Sequence, residues 1–101
     1  MRKNQKAVIE SWQHGRAKDL RTISTDGVTI FSYSTAIAAK LEDGSIALNI
    51  TKHSATSSSQ QRALEYWASQ AGVRVVHVDP DYRGVQGEDL ARAAMVKLAT
   101  R

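Results

Sequence analysis

Two Asp-Gly dipeptides, Asp26-Gly27 and Asp43-Gly44, each lie between runs of residues that favour extended backbone, and they constrain the chain more than any other feature. A tight hairpin turn needs positive φ at its centre. Asp followed by Gly reaches that conformation at little cost, so the dipeptide between alternating strands marks a β-hairpin. Around Asp43-Gly44 the alternation is nearly complete: Ile37, Ala39 and Leu41 precede the turn, and Ile46, Leu48 and Ile50 follow it. A two-residue turn sets Leu41 opposite Ile46, Ala39 opposite Leu48 and Ile37 opposite Ile50, so that all six side chains share one face.

Around Asp26-Gly27, residues 20–25 and 28–33 are rich in β-branched and aromatic types. The same turn pairs Ile23 with Ile30 on one face, and Thr22 with Phe31 and Leu20 with Tyr33 on the other. Joined through Ser34-Thr35-Ala36, the two hairpins form a four-stranded antiparallel meander with one apolar face to cover.

Helices supply the cover. Asn4 is placed to cap a helix over residues 5–14, whose stripe is Ala7, Val8, Ile9 and Trp12 and whose stop is Gly15. A second helix spans residues 58–71, with a capping box running from Ser57 or Ser58 to Gln60 or Gln61, a stripe of Leu64, Trp67, Ala68 and Ala71, and an end at Gly72. Residues 73–78 read as a fifth strand, closed by Asp79-Pro80-Asp81. After a loop carrying Tyr82 and Arg83, a last helix runs from residue 88 to about 100. Its buried arc is Leu90, Ala91, Ala94, Met95 and Leu98, with Glu88 and Asp89 at its start and Lys97 and Arg101 at its end to suit the helix dipole. The expected fold is α+β in the order α-β-β-β-β-α-β-α, a mainly antiparallel sheet of about five strands covered on one face by helices, in one domain spanning residues 1–101.

Composition narrows the function classes. With 42% hydrophobic and 24% charged residues in 101, the chain belongs with folding globular domains rather than disordered ones. It has no cysteine, which excludes disulfides, thiolate chemistry and cysteine-ligated metals, and fits a reducing, cytoplasmic setting. No apolar run approaches the roughly 20 residues of a membrane span. The basic start Met1-Arg2-Lys3-Asn4-Gln5-Lys6 is not followed by the apolar run of an export leader, because Glu10, Gln13 and His14 intervene. The net charge of +4 is concentrated: residues 1–22 hold Arg2, Lys3, Lys6, Arg16, Lys18 and Arg21 against Glu10 and Asp19, and the remainder is neutral. Such a region docks on phosphate, on acidic protein or on anionic lipid, or serves solubility alone.

Three segments carry candidate chemistry. His77 and Asp79 project from one strand face and are the nearest approach to a shared metal or proton site, against the simpler reading of an ordinary strand histidine beside an Asp-Pro turn. Lys52, His53, Ser57 and Ser58 place a cation and hydroxyls at a helix N-terminus, the makings of an anion site as well as of a plain cap. Tyr82 and Arg83, in a loop, are a pair suited to stacking on a base or anchoring a protein. No phosphate-binding glycine loop is present, and no catalytic residue, cofactor or metal is expected.

Trp12 to Gly15, Ser24-Thr25-Asp26-Gly27, Phe31-Ser32-Tyr33, Ile37-Ala38 and Lys52-His53-Ser54-Ala55-Thr56-Ser57 together resemble small proteins encoded by bacteriophages, especially those of actinobacteria, and by some archaeal viruses. The resemblance implies an early, non-structural phage product acting in the host cytoplasm, and brings no activity or catalytic residues with it. The resulting expectation is a non-enzymatic accessory protein that binds a host macromolecule, foremost a host protein. The alternative is a nucleic-acid-binding module using Arg2, Lys3, Lys6, Arg16, Lys18 and Arg21, with Lys52 at the helix start. Pairing of an exposed sheet edge with a second copy is a further option.

Overall fold

The chain runs α1 (Lys3–Gln13), β1 (Lys18–Asp19), β2 (Ile23–Thr25), β3 (Thr29–Ser32), β4 (Thr35–Lys40), β5 (Ile46–Asn49), α2 (Ala55–Ala71), β6 (Val75–Val78) and α3 (Gly87–Ala99). The structure is a computed structural model that describes residues 2–52 and 54–99, so His53 and Arg101 lie outside the described residues. The α+β class and the mainly antiparallel sheet are as the turn and strand pattern predicts. The sheet has six strands in the order β1-β2-β3-β4-β5-β6. Every neighbouring pair is antiparallel except β5 and β6, which α2 joins in parallel.

Both Asp-Gly pairs sit in hairpin turns, yet neither is itself the two-residue loop: the first turn pairs Asp26 with Thr29 around Gly27-Val28, and the second is longer. At Asp43-Gly44 the Leu41 amide donates to the Ser45 carbonyl at 2.9 Å and the Gly44 amide donates back to the Leu41 carbonyl at 3.2 Å. With Gly44 at φ +87°, this is a three-residue loop with a left-handed third position. The Ser45 hydroxyl and amide both donate to the Asp43 carboxylate, and they hold that carboxyl below its usual range.

The longer loop moves the register by one residue, so Ala38 faces Leu48, Ala39 faces Ala47 and Lys40 faces Ile46. A bulge in β4 adds to the change: Ile30 pairs with Ala38 but Phe31 with Ala36, leaving Ile37 as the extra residue. The six aliphatic residues therefore do not share a face. Ile37, Ala38, Ile46 and Leu48 point to one side, Ala39 and Leu41 to the other, and Ile50 is 43% exposed.

At Asp26-Gly27 the Asp26 carboxylate accepts the amides of Val28 and Thr29. Thr25 Oγ1 accepts from the Gly27 amide and donates to the Thr29 carbonyl, which spreads the turn over residues 26–29. Ile23 then faces Ser32, and Thr25 faces Ile30. This slip of two residues from the expected pairing keeps Ile23 and Ile30 on one face and Phe31 on the other, but Leu20, expected on the Phe31 side, packs against the half of the core that holds Ile23. The predicted strand over residues 20–25 is broken by a turn at Arg21, φ +67°, which creates the short edge strand β1. Tyr33, expected opposite Leu20 in a strand, instead lies in the β3–β4 turn at φ +55°.

Because apolar residues emerge on both sides, the sheet is covered on both. Against one face α1 and α2 pack Val8, Ile9, Trp12, Ala63, Leu64 and Ala68. Against the other, α3 packs Leu90 and Ala94 over Ala36, Ala39, Ala47, Val76 and Val78. Alanines at three sheet positions let α3 approach closely. Met95, expected in the buried arc of α3, is 63% exposed instead.

Trp12 fixes the first layer. It is fully buried, donates from Nε1 to the Val28 carbonyl at 2.7 Å, and meets the Trp67 ring edge-on with centroids 5.0 Å apart. Gly15 ends α1 as expected: its amide donates to the Trp12 carbonyl, and the Arg16 amide reaches the Ser11 carbonyl at 2.8 Å. The N-caps differ from expectation. Arg2 caps α1, with its amide donating to Gln5 Oε1, so Asn4 lies inside the helix. Ser54 caps α2 by accepting the Ser57 amide, which places Ser57 and Ser58 within the helix.

Candidate functional site

Helices α1 and α2 lie side by side on the sheet with their N-termini at the same end. Gln5 of α1 donates to Ser59 of α2, while Gln60 of α2 donates to the Thr22 carbonyl beside the start of α1. At the opposite end Trp12 meets Trp67. The positive poles of the two helix dipoles therefore face the same way, and neither helix has an acidic residue in its first turn.

Two clefts flank the first turns of α2. One, of about 530 Å³, runs between the helices and is lined by Arg2, Gln5, Ser59, Arg62, Ala63 and Tyr66. A smaller recess continues it past Lys3 and Asn4 to Thr22, Thr56 and Gln60. The other, of about 290 Å³, opens at the start of α2 and is lined by Ser32, Tyr33, Ser34, Thr35, Ser54, Ser57 and Arg83. Ser32 and Ser57, both buried, share a hydrogen bond of 3.1 Å across its floor.

Buried amides hold this end of the molecule rigid. Asn49, with no exposed surface, donates to the Ala36 carbonyl and accepts the Thr51 amide. Gln61 donates to the carbonyls of both Asn49 and Thr51, so the chain leaving β5 is tied to the helix that follows it. The loop carrying Tyr82 and Arg83 is pinned on either side: Thr51 Oγ1 donates to Asp79 and accepts the Asp81 amide, the Gly84 amide donates to Thr35 Oγ1, and the Ala36 amide donates to the Val85 carbonyl. A fixed frame therefore presents an exposed loop, the usual arrangement of a recognition surface.

The structure divides the expected cations into groups. Arg2 and Lys3 line the clefts at the shared helix N-termini, and Lys6 is exposed on the next turn of α1. Arg16 and Lys18 lie after the other end of α1, and Arg21 sits in the β1–β2 turn next to Thr22. Lys52 is exposed between β5 and α2. Ser57 is buried and Ser58 half-buried, so the hydroxyl at the helix start is that of Ser54. Arg62 and Tyr66, which are not among the site residues expected from the sequence, complete the inter-helix cleft; their placement depends on α1 lying along α2, which no local pattern encodes. The ion pairs among the described residues are Glu65–His77 and Asp89–Arg92, so no acid neutralises Arg2, Lys3, Lys6 or Arg62 by contact.

His77 and Asp79 do not form a pair. His77 Nε2 meets Glu65 of α2, and Asp79 accepts from Thr51. Among the described residues no group of His, Asp and Glu is arranged to hold a metal. No helix among the described residues is long and apolar enough to cross a membrane. No protein-family model, curated protein or solved structure matches the chain.

Proposed function

We propose that this protein is a non-catalytic accessory module of the phage type whose partner is nucleic acid, held by its phosphates at the end where α1 and α2 begin. The observation that carries this reading is the convergence of two unneutralised helix N-termini with Arg2 and Arg62 around one cleft and Lys3 in the recess that continues it. Arg21 adjoins Thr22, which lines that recess, and Lys52 precedes α2 in the chain. The engagement of His77 by Glu65 and of Asp79 by Thr51 supports a binding role over a catalytic one.

Anisotropy of a labelled oligonucleotide, titrated at several salt concentrations, tests this. If three to five phosphates are neutralised, the logarithm of affinity falls against the logarithm of salt with a slope of about −2 to −4. Changing Arg2 and Arg62 together to Glu should abolish binding at roughly physiological salt. No retardation at about 50 mM salt would remove the proposal.

A second reading, binding of a host protein, is favoured by one observation: Met95 and Val96 of α3 are 63% and 60% exposed, next to a cleft lined by Leu41 and Leu98. Capture of a partner that survives nuclease treatment, and is lost in Met95→Glu, would support it.

A further inference from the structure

We propose that the nucleic acid is single-stranded, and that Tyr33 and Tyr66 are the platforms on which its bases stack. This rests on the nucleic-acid reading above and specifies which form is bound. The protein separates its aromatic residues sharply. Trp12 is fully buried and Trp67 and Phe31 pack against the two halves of the core, whereas Tyr33, Tyr66 and Tyr82 are 63%, 61% and 50% exposed. Packing does not require tyrosine at these places. Tyr33 occupies a turn at φ +55°, a conformation that favours Gly or Asn over an aromatic residue.

Each cleft beside α2 combines the same two elements, an exposed tyrosine face and an arginine: Tyr66 with Arg2 and Arg62 in one, Tyr33 with Arg83 in the other. An aromatic face next to a guanidinium takes a base and its phosphate without regard to sequence, the recurring unit of single-strand binding surfaces. In a duplex the base faces are occupied by one another and cannot reach either ring. The two clefts also lie on opposite sides of α2's first turns, so one ligand filling both must bend around them, which a single strand does and a short duplex does not.

The test compares fluorescein-labelled dodecathymidylate with a labelled twelve-base-pair duplex, read by anisotropy at about 50 mM salt. The single strand should bind at least roughly tenfold more tightly. Tyr66→Ala and Tyr33→Ala should each weaken single-strand binding by roughly 5- to 150-fold and leave duplex binding unchanged. Tyr66→Phe and Tyr33→Phe, which keep the ring, should bind like the parent, and both tyrosines are exposed enough that thermal melts should show the variants folded. Equal affinity for both forms, with the salt dependence intact, would overturn this inference and leave the nucleic-acid reading standing. Alanine variants that bind like the parent would also overturn it. Absence of binding to either form would remove both.

Discussion

Gly27→Ala and Gly44→Ala make the same substitution in two Asp-Gly turns that look interchangeable in sequence, and the structure predicts different outcomes. The two glycines have φ of +98° and +87°, so a side chain meets similar backbone strain at each, about 1–2 kcal/mol. At Gly44 a Cβ has nothing within 4 Å, and that strain is the whole effect. At Gly27 the Cβ would lie 2.6 Å from the Gly15 carbonyl oxygen and 2.8 Å from its carbon. Both are backbone atoms of the turn that ends α1, held by the Gly15–Trp12 and Arg16–Ser11 hydrogen bonds. Relief requires moving the end of α1 away from the hairpin by several tenths of an ångström, which pulls on the 2.7 Å bond from Trp12 Nε1 to the Val28 carbonyl. Loss of a buried bond of this kind adds about 1–3 kcal/mol. The expected costs are thus about 1–2 kcal/mol for Gly44→Ala and about 2–5 kcal/mol for Gly27→Ala. Urea unfolding followed by tryptophan fluorescence reads the difference directly, since Trp12 and Trp67 lie in the layer that shifts. The midpoint should fall by about 1 M in the first variant and by roughly 1.5–3 M in the second. Coincident midpoints would refute the proposed contact between the end of α1 and the first hairpin.

Trp12→Phe retains most of the buried ring but loses the bond to the Val28 carbonyl, which keeps the Lys40 amide as a donor, so it should destabilise the fold by about 1–3 kcal/mol, measured by the same unfolding curves. For Asp43, hydrogen bonds from the Ser45 hydroxyl and amide lower the folded-state pKa below the ordinary 3.8. The ionised carboxylate therefore stabilises the fold above that value, and the contribution is lost as pH falls through the lower folded pKa. In thermal melts across this range, Asp43→Asn should be less stable than the parent near neutrality and converge with it in acid; a constant gap would contradict the assignment.

Much of the fold is readable in the sequence because the strongest signals are local. Both Asp-Gly turns, the stop at Gly15, the end at Gly72 and the stripe of Leu64, Trp67 and Ala68 depend on residues within a few positions of one another, and each appears where expected. The registers fail for a specific reason: the Asp26 and Asp43 carboxylates and Thr25 Oγ1 accept neighbouring amides, and Thr25 Oγ1 also donates to the Thr29 carbonyl, which recentres the first turn on Gly27-Val28 and draws the second out to three residues. In the second hairpin, alanines at 36, 38, 39 and 47 fit either face of the sheet, so alternation does not determine the pairing and the bulge at Ile37 goes unseen. The candidate site divides in the same way. The basic region, the hydroxyls before α2 and the Tyr82-Arg83 loop are visible in the chain, whereas the partnership of Arg2 with Arg62 and Tyr66 arises only when two helices distant in sequence lie in parallel.

The order of strands across the sheet repeats their order along the chain, and even the single parallel pair joins consecutive strands. As the polypeptide emerges from the ribosome, each new strand finds its partner already made, with only α2 to dock before β6 closes the edge. The antiparallel pairings close only short loops, so the slower steps left to folding are the α2 crossover and the docking of α1 on α2.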